Sequence, residues 1–270
     1  MINTSRLYTF IDQNKEFSLS YLDGQKIIYD LTLDFFNKPH YVEFYRSIIL
    51  DSLLLSTFLK NFEQLGFYID SVNPAFMFKL EFNAKGNFRH LLRAESDMVF
   101  PKLIQGKTRL IKSNPSNLET YQSVVEINNL SPEEITQEII NTSYQLLAKP
   151  LVFKDRDQSC LVHALGHGAS QEKFEQFTSA TQQKLAALSI DTMNDTKNII
   201  DSIEKLGFIY LSSKEISFQC SCSLENMISG VRSLSMNDLN YLFEEKDSLE
   251  IKCDYCHKEY TITKENISSP

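Results

Sequence analysis

Tryptophan is absent from this 270-residue chain, glycine occurs eight times and proline seven. So little glycine leaves few positions for left-handed turns, and no glycine-rich phosphate loop is present. Basic residues are outnumbered, 27 Lys and Arg against 35 Asp and Glu, for a formal net charge of −8 at pH 7. A surface of that sign argues against nucleic acid as a partner, because phosphate binding needs a basic face. Long apolar runs are missing as well. The longest, Ile48 to Leu59, is broken by Asp51 and falls short of the ~20 residues that span a bilayer. The first twenty residues mix Arg6, Asp12, Lys15 and Glu16 with apolar side chains and hold no secretory h-region. The expected setting is cytoplasmic and reducing, with no membrane partner. There, clustered cysteines bind metal or do redox work rather than form structural disulfides. No serine elbow or paired catalytic carboxylate is present either, so the chain is not expected to be an enzyme.

What is plentiful is Phe (19) and Tyr (12), in a chain 42% hydrophobic and 23% charged. That is a globular composition with enough apolar surface for a sizeable core and room for two folding units. Residues 1–38 read as short strands and turns, with Asp23-Gly24 as a hairpin turn. Pro39 opens a core helix to about Asn61, carried by Val42, Tyr45, Ile49, Leu53 and Phe58. Ala75–Phe82 alternates, with Phe76, Phe78, Leu80 and Phe82 on one face. Lys107–Lys112 and Tyr121–Ile127 are further strands, separated by an Asn114-Pro115-Ser116-Asn117 turn. Ser131-Pro132-Glu133-Glu134 is a capping-box helix start, and the helix is expected to run to about Leu147. Leu151–Phe153 and Cys160–Leu165 return to strand. The predicted class is α+β: a mostly antiparallel N-terminal sheet domain with packed helices, a helical linker and a small C-terminal zinc-binding domain.

The linker is expected over 169–212. Phe174, Phe177, Leu185, Leu188, Ile199, Ile200, Ile203 and Leu206 recur at helical spacing there, split by a polar run from Asp191 to Thr196. So thin a stripe has to lean on a neighbour. Gly207 stops it, and Phe208–Phe218 reads as a strand leading into a module over 213–270. In the module, helices open after Cys222 and at Ser235. Leu249, Ile251, Tyr260 and Ile262 frame a hairpin whose turn is Asp254-Tyr255-Cys256-His257.

Four of the five cysteines stand in that module, as Cys220-Ser221-Cys222 and Cys253-Asp254-Tyr255-Cys256, in the pattern C-x-C-x30-C-x-x-C. Two close pairs brought together supply four thiolates for one tetrahedral Zn2+, so Cys220, Cys222, Cys253 and Cys256 are the candidate ligands. The C-x-C pair is shorter than the usual C-x2–4-C of structural sites. By spacing alone, both a structural knuckle and a switch stay open. A zinc-ribbon regulator or nucleic-acid-binding module is the alternative, opposed by the acidic run Glu244, Glu245, Asp247 and Glu250. A thiol oxidoreductase is opposed by the lack of a thioredoxin-like βαβ pattern around Cys253. Cys160, alone in an apolar strand, reads as a small buried hydrophobe. His257 reads as a surface residue, and His163 and His167 as loop or strand residues.

Phe218-Gln219-Cys220-Ser221-Cys222-Ser223, then a leucine-rich helical stretch, then Ile251-Lys252-Cys253-Asp254-Tyr255-Cys256 and Tyr260, resembles the zinc module of the redox-regulated 33 kDa chaperonin family. The order of an α+β domain, a helical linker and a cysteine module fits as well. The resemblance implies an ATP-independent holdase that binds unfolding client proteins under oxidative stress, often as a homodimer when oxidised. It implies disulfides joining Cys220 with Cys222 and Cys253 with Cys256, release of zinc, and exposure of an apolar surface. Each cysteine has its resolving partner beside it, and such short rings depart from relaxed disulfide geometry, which keeps the bonds reversible.

Overall fold

Residues Arg6–Asp12 (β1) and Phe17–Asp23 (β2) form an antiparallel hairpin. Its turn is held by the Asp12 carboxylate, which accepts the backbone N–H of Asn14 at 2.9 Å and of Glu16 and Phe17 at 2.7 Å each. The hairpin turn expected at Asp23-Gly24 is therefore misplaced by a whole strand. There the chain passes into helix α1 (Gln25–Asp34), which buries Ile27, Ile28 and Leu31. Gly24 is needed for close approach: its N–H donates to Asp157 O at 2.9 Å, and a Cβ would meet Leu50 and lie 2.9 Å from that same oxygen.

In this computed structural model the described residues are 4–34, 39–95, 98–114, 116, 119–166, 169–188, 195–244 and 246–268. His167, the domain boundary at Gly168, Pro115 and Asn117 of the expected turn, Asp191–Asn194 of the polar break and Glu245 lie outside them. The chain divides into two compact units, Met1–Phe218 and Gln219–Pro270.

In the first unit, α2 (Pro39–Ser52) tightens into a 3-10 turn at Leu53–Phe58. Strands β3 (Gln64–Val72), β4 (Ala75–Asn83), β5 (Asn87–Arg93), β6 (Ile104–Asn114) and β7 (Glu119–Leu130) follow. Helix α3 (Pro132–Ile139) has the expected capping box: Glu134 N–H donates to Ser131 Oγ at 3.3 Å, and Ser131 N–H to Glu134 Oε2 at 2.8 Å. It ends earlier than expected, in a wider π-type turn at Ile140–Tyr144. Strands β8 (Ala148–Phe153) and β9 (Gln158–Ala164), helices α4 (Gln171–Ala186) and α5 (Thr196–Glu204), then strands β10 (Phe208–Glu215) and β11 (Ser217–Phe218) complete the unit. Gly207, at φ +99°, separates α5 from β10.

Two sheets result. One has the order β10-β1-β2-β9-β8 and is antiparallel throughout; the other has the order β11-β5-β4-β3-β6-β7, antiparallel except for the short β11. Period-2 alternation divides the first sheet between two cores. Leu7, Leu22 and Leu161 join α1, α2, α3 and the inner face of the second sheet, where Phe76, Phe78, Leu80 and Phe82 are buried. Tyr8, Phe10, Phe17, Leu19, Tyr21, Cys160 and Val162 point the other way. That second face is covered by α4 and α5 through Phe174, Leu185, Ile199 and Ile203, with Phe177 stacked on Phe17 at 4.2 Å. As a result β2 is buried at every position.

The α+β class of mostly antiparallel sheets is as expected from the sequence. The placement of Gly24 has a mechanical consequence. Gly24→Ala should lower the free energy of unfolding by about 1–3 kcal/mol through overpacking, read by chemical denaturation; a variant as stable as the parent would show that the junction has room.

Candidate metal centre

The second unit begins with an irregular segment carrying Cys220 and Cys222. It enters helix α6 (Leu224–Arg232) at Ser223, whose Oγ accepts Asn226 N–H at 3.2 Å. The Asn226 amide also donates to Ser221 O at 3.0 Å, tying the residue between the cysteines to the first turn of α6. Helix α7 (Met236–Leu242) is capped by Ser235. Strands β12 (Ser248–Lys252) and β13 (Glu259–Thr263) form the expected hairpin, followed by α8 (Lys264–Ser268). Within its turn, Cys253 N–H donates to Lys258 O at 2.9 Å and His257 N–H to Cys253 O at 2.8 Å, with His257 at φ +58°. This knuckle turns the Cys253 and Cys256 sulfurs to one side.

The four sulfurs lie within 4.8 Å of one another. Cys220 Sγ and Cys253 Sγ are 3.7 Å apart, and Cys222 Sγ and Cys256 Sγ 3.3 Å. A tetrahedron of sulfurs at about 2.3 Å from a central ion has edges of roughly 3.8 Å, so the tetrad has the size a bound metal requires. All four are free thiols. The donor set is soft and sulfur-only, which suits zinc-like ions and excludes the oxygen-seeking cations magnesium and calcium. Among the described residues, this is the one group of three or more His, Cys, Asp or Glu side chains able to close on an ion.

A fifth side chain completes the arrangement. Tyr260, on β13 opposite Ile251, donates its hydroxyl to Cys222 Sγ at 3.0 Å. That hydrogen bond is the main cause of the lowering of the Cys222 thiol to about 7, while burial pushes Cys220 up to about 12 and raises Cys256. Cys222, just ahead of the α6 N-terminus, is thus the thiol most readily ionised of these three. Sequence reasoning placed Tyr260 on the hairpin but gave it no part in the site. The available signal was its position four residues after Cys256, on the strand leaving the knuckle.

The tetrad is supported by few apolar side chains. Val231, Phe243 and Ile262 are buried in the core of this unit, with Met227, Ile228, Leu239, Leu249, Ile251 and Ile267 partly buried around them. His257 is exposed and outside the sulfur group. Cys160 belongs to the first unit, fully buried on β9, where burial raises its thiol far above the ordinary range. His163, on the same strand, packs edge-on against Phe58 at 5.5 Å, and burial lowers it to about 4. No helix among the described residues is long and apolar enough to cross a membrane.

The fold and site define a class: an α+β body joined to a small module built around four clustered cysteines that could hold a metal. The model of the Hsp33 protein family matches residues 5–263. The 33 kDa chaperonin of Proteus mirabilis is 24% identical over 251 residues, covering 85% of each chain. That of Shewanella sediminis is 26% identical over 158 residues, 56% of this chain and 54% of that one. A crystal structure of the 33 kDa chaperonin (heat shock protein 33 homolog) from Thermotoga maritima covers 98% of this chain and 97% of its own at a TM-score of 0.74 and 13% identity, a likeness of fold. The chain belongs to the Hsp33 family.

Groups that hydrogen-bond to metal ligands tune affinity as well as orientation. Tyr260→Phe should therefore weaken metal binding about 10–100-fold, measured by competition with a chelator of known affinity. A change within twofold would remove the hydroxyl from the site's chemistry.

Proposed function

We propose that this protein is a redox-regulated, ATP-independent holdase that binds unfolding proteins under oxidative stress in the cytoplasm. The observation that carries the reading is the convergence of four thiols in a unit whose hydrophobic cluster, among the described residues, centres on Val231, Phe243 and Ile262. In the reduced state Cys220, Cys222, Cys253 and Cys256 hold one Zn2+, which keeps all four sulfurs as thiolates and supplies folding energy to the unit. A site of that kind contributes on the order of 10 kcal/mol, more than so small a core holds in reserve.

Oxidation reverses this. A thiolate attacks peroxide to give a sulfenic acid, and a neighbouring thiol displaces its oxygen as water, closing a disulfide; two electrons pass to the oxidant for each bond formed. The tetrad brings every sulfur near the other three, so proximity does not select the partner. We take the pairs to be Cys220 with Cys222 and Cys253 with Cys256, the short rings that family resemblance implies. The ligands are then lost, zinc is released and the module unfolds.

Residues 169–212 act as a linker in this reading, between a client-holding body over 1–168 and a redox module over 213–270. Only Gln219 stands between Phe218 and Cys220, so loss of order in the module reaches β11 and the edge strand β10 along the chain itself. The face that α4 and α5 would then uncover on the first sheet is rich in aromatic residues, including Tyr8, Phe10, Phe17 and Tyr21. Exposed patches of that kind bind unfolded chains or a second copy, which fits a homodimer in the oxidised state. The Phe76–Phe82 stripe is core against Phe44 and Tyr45 and is not the face in question. No catalytic step is part of this function.

Zinc release, followed with a colorimetric chelator during treatment with peroxide and mild heat, should rise together with suppression of client aggregation in the same samples. Cys253→Ser should abolish that coupling, and Cys160→Ala should leave it intact. Zinc leaving without any gain in client holding would sink the proposal.

A further inference from the structure

Arg156 is a buried charged side chain that the switch chemistry leaves unused. It lies in the short turn between β8 and β9, 6% exposed. The turn is pinned from the body side. Gly24 N–H donates to the Asp157 carbonyl at 2.9 Å, and Arg46 Nε reaches the Asp157 carboxylate at 2.6 Å. From that fixed base the Arg156 side chain crosses to the helices covering the sheet. Its Nη1 donates to Leu185 O and to Leu188 O at 3.2 Å each. Its Cζ sits 4.7 Å from the centre of the Phe153 ring. The Asp155 carboxylate lies 3.9 Å from Nε and is largely exposed, so it gives little compensation for the buried charge.

A buried guanidinium needs partners for its charge, and here they come mainly from α4. The last carbonyls of a helix lack N–H partners within the helix and carry the negative end of its dipole. At the C-terminal end of α4, Arg156 adds a charged donor to Leu185 O, which also accepts Leu188 N–H at 3.2 Å, and to Leu188 O two residues beyond the helix, with the Phe153 face adding a cation–π contact. The other contacts that hold α4 and α5 are apolar side chains, which do not fix a register, and hydrogen bonds nearer the surface. Lys173–Glu16 is one such ion pair, with side chains 52% and 39% exposed. Tyr8 to Thr196, at 3.2 Å, is another polar contact and is neutral.

We propose that Arg156 is a polar latch that fixes the C-terminus of α4 on the first sheet and so sets how readily the covered face opens. The latch also suits repeated opening. When α4 leaves, the guanidinium passes into water and recovers its hydration, whereas an apolar clamp would be left exposed. The part of this proposal that concerns opening for clients rests on the holdase reading; the part that concerns docking of α4 does not.

Amide hydrogen exchange on the full reduced chain separates the two. Hydrogen bonds to charged groups are worth enough that Arg156→Met should lower protection in α4 by about tenfold or more, with β3 to β7 unchanged. Arg156→Lys, which keeps the charge but loses the planar fork, should fall between. Lys173→Met, which removes an exposed pair, should change protection by less than about threefold. Should Arg156→Met fail to fold, the lysine variant decides: loss confined to α4 supports the latch, and loss spread through β3 to β7 overturns it. Unchanged α4 protection in a folded Arg156→Met also overturns it, leaving the holdase reading untouched. In oxidised samples the methionine variant should begin to hold an aggregating client at a lower temperature than the parent; an identical onset removes the regulatory half. If α4 opens in the variant while the oxidised parent holds no client, the holdase reading falls and the latch stands.

Discussion

Four sulfur atoms crowded into a few ångströms are a poor arrangement for a protein on its own. Each thiol that ionises raises the cost of ionising the next, yet Tyr260 and the start of α6 favour the thiolate at Cys222. A soft divalent cation held at the centre would resolve the conflict, because all four could then ionise together. The module around the tetrad is assembled from a knuckle, a capped helix entry and a two-stranded hairpin, each held by local hydrogen bonds. None brings much apolar burial. The sulfur cluster is thus the constraint on which the second unit depends.

The first unit is organised differently. Its central sheet is buried on both faces, but the two faces are covered in unlike ways. One is shared with three helices and a second sheet in a continuous core. The other is covered by two helices with sparse apolar stripes, joined by a segment outside the described residues and positioned by a few polar contacts. Separate elements of one chain therefore cover the two faces, one through a continuous core and the other through two helices and a few polar contacts.

Much of this was legible in the residues. The Ser131-Glu134 capping box, the helical spacing of 170–206 and the knuckle around Cys253 and Cys256 were readable because each rests on contacts a few positions apart. Strands β3 and β5 were missed: in β3 Gly66 and Tyr68 sit between the buried Leu65, Phe67 and Ile69 and blur the contrast, and in β5 only Phe88 is buried. The hairpin was assigned to Asp23-Gly24, where the dipeptide matches a common turn type. The actual turn is closed by Asp12, whose carboxylate gathers three backbone N–H groups, and Gly24 serves instead to let Asp157 and Leu50 approach. At the site, the four cysteines were identified by spacing, while Tyr260 emerged only once β13 was paired with β12 and its hydroxyl came to lie on Cys222.

The sequence by itself determined the α+β class, the acidic net charge, the amphipathic segment and the identity of the four thiols, because these follow from composition and short-range spacing. The tertiary structure decided which sheet face the helices cover, that the Phe76–Phe82 stripe is core, and that Arg156 meets the end of α4. Those outcomes join residues tens of positions apart. Nothing in a local window records which distant carbonyl a buried guanidinium will find, because that is set by how sheets and helices pack and by the need to give every buried charge a partner.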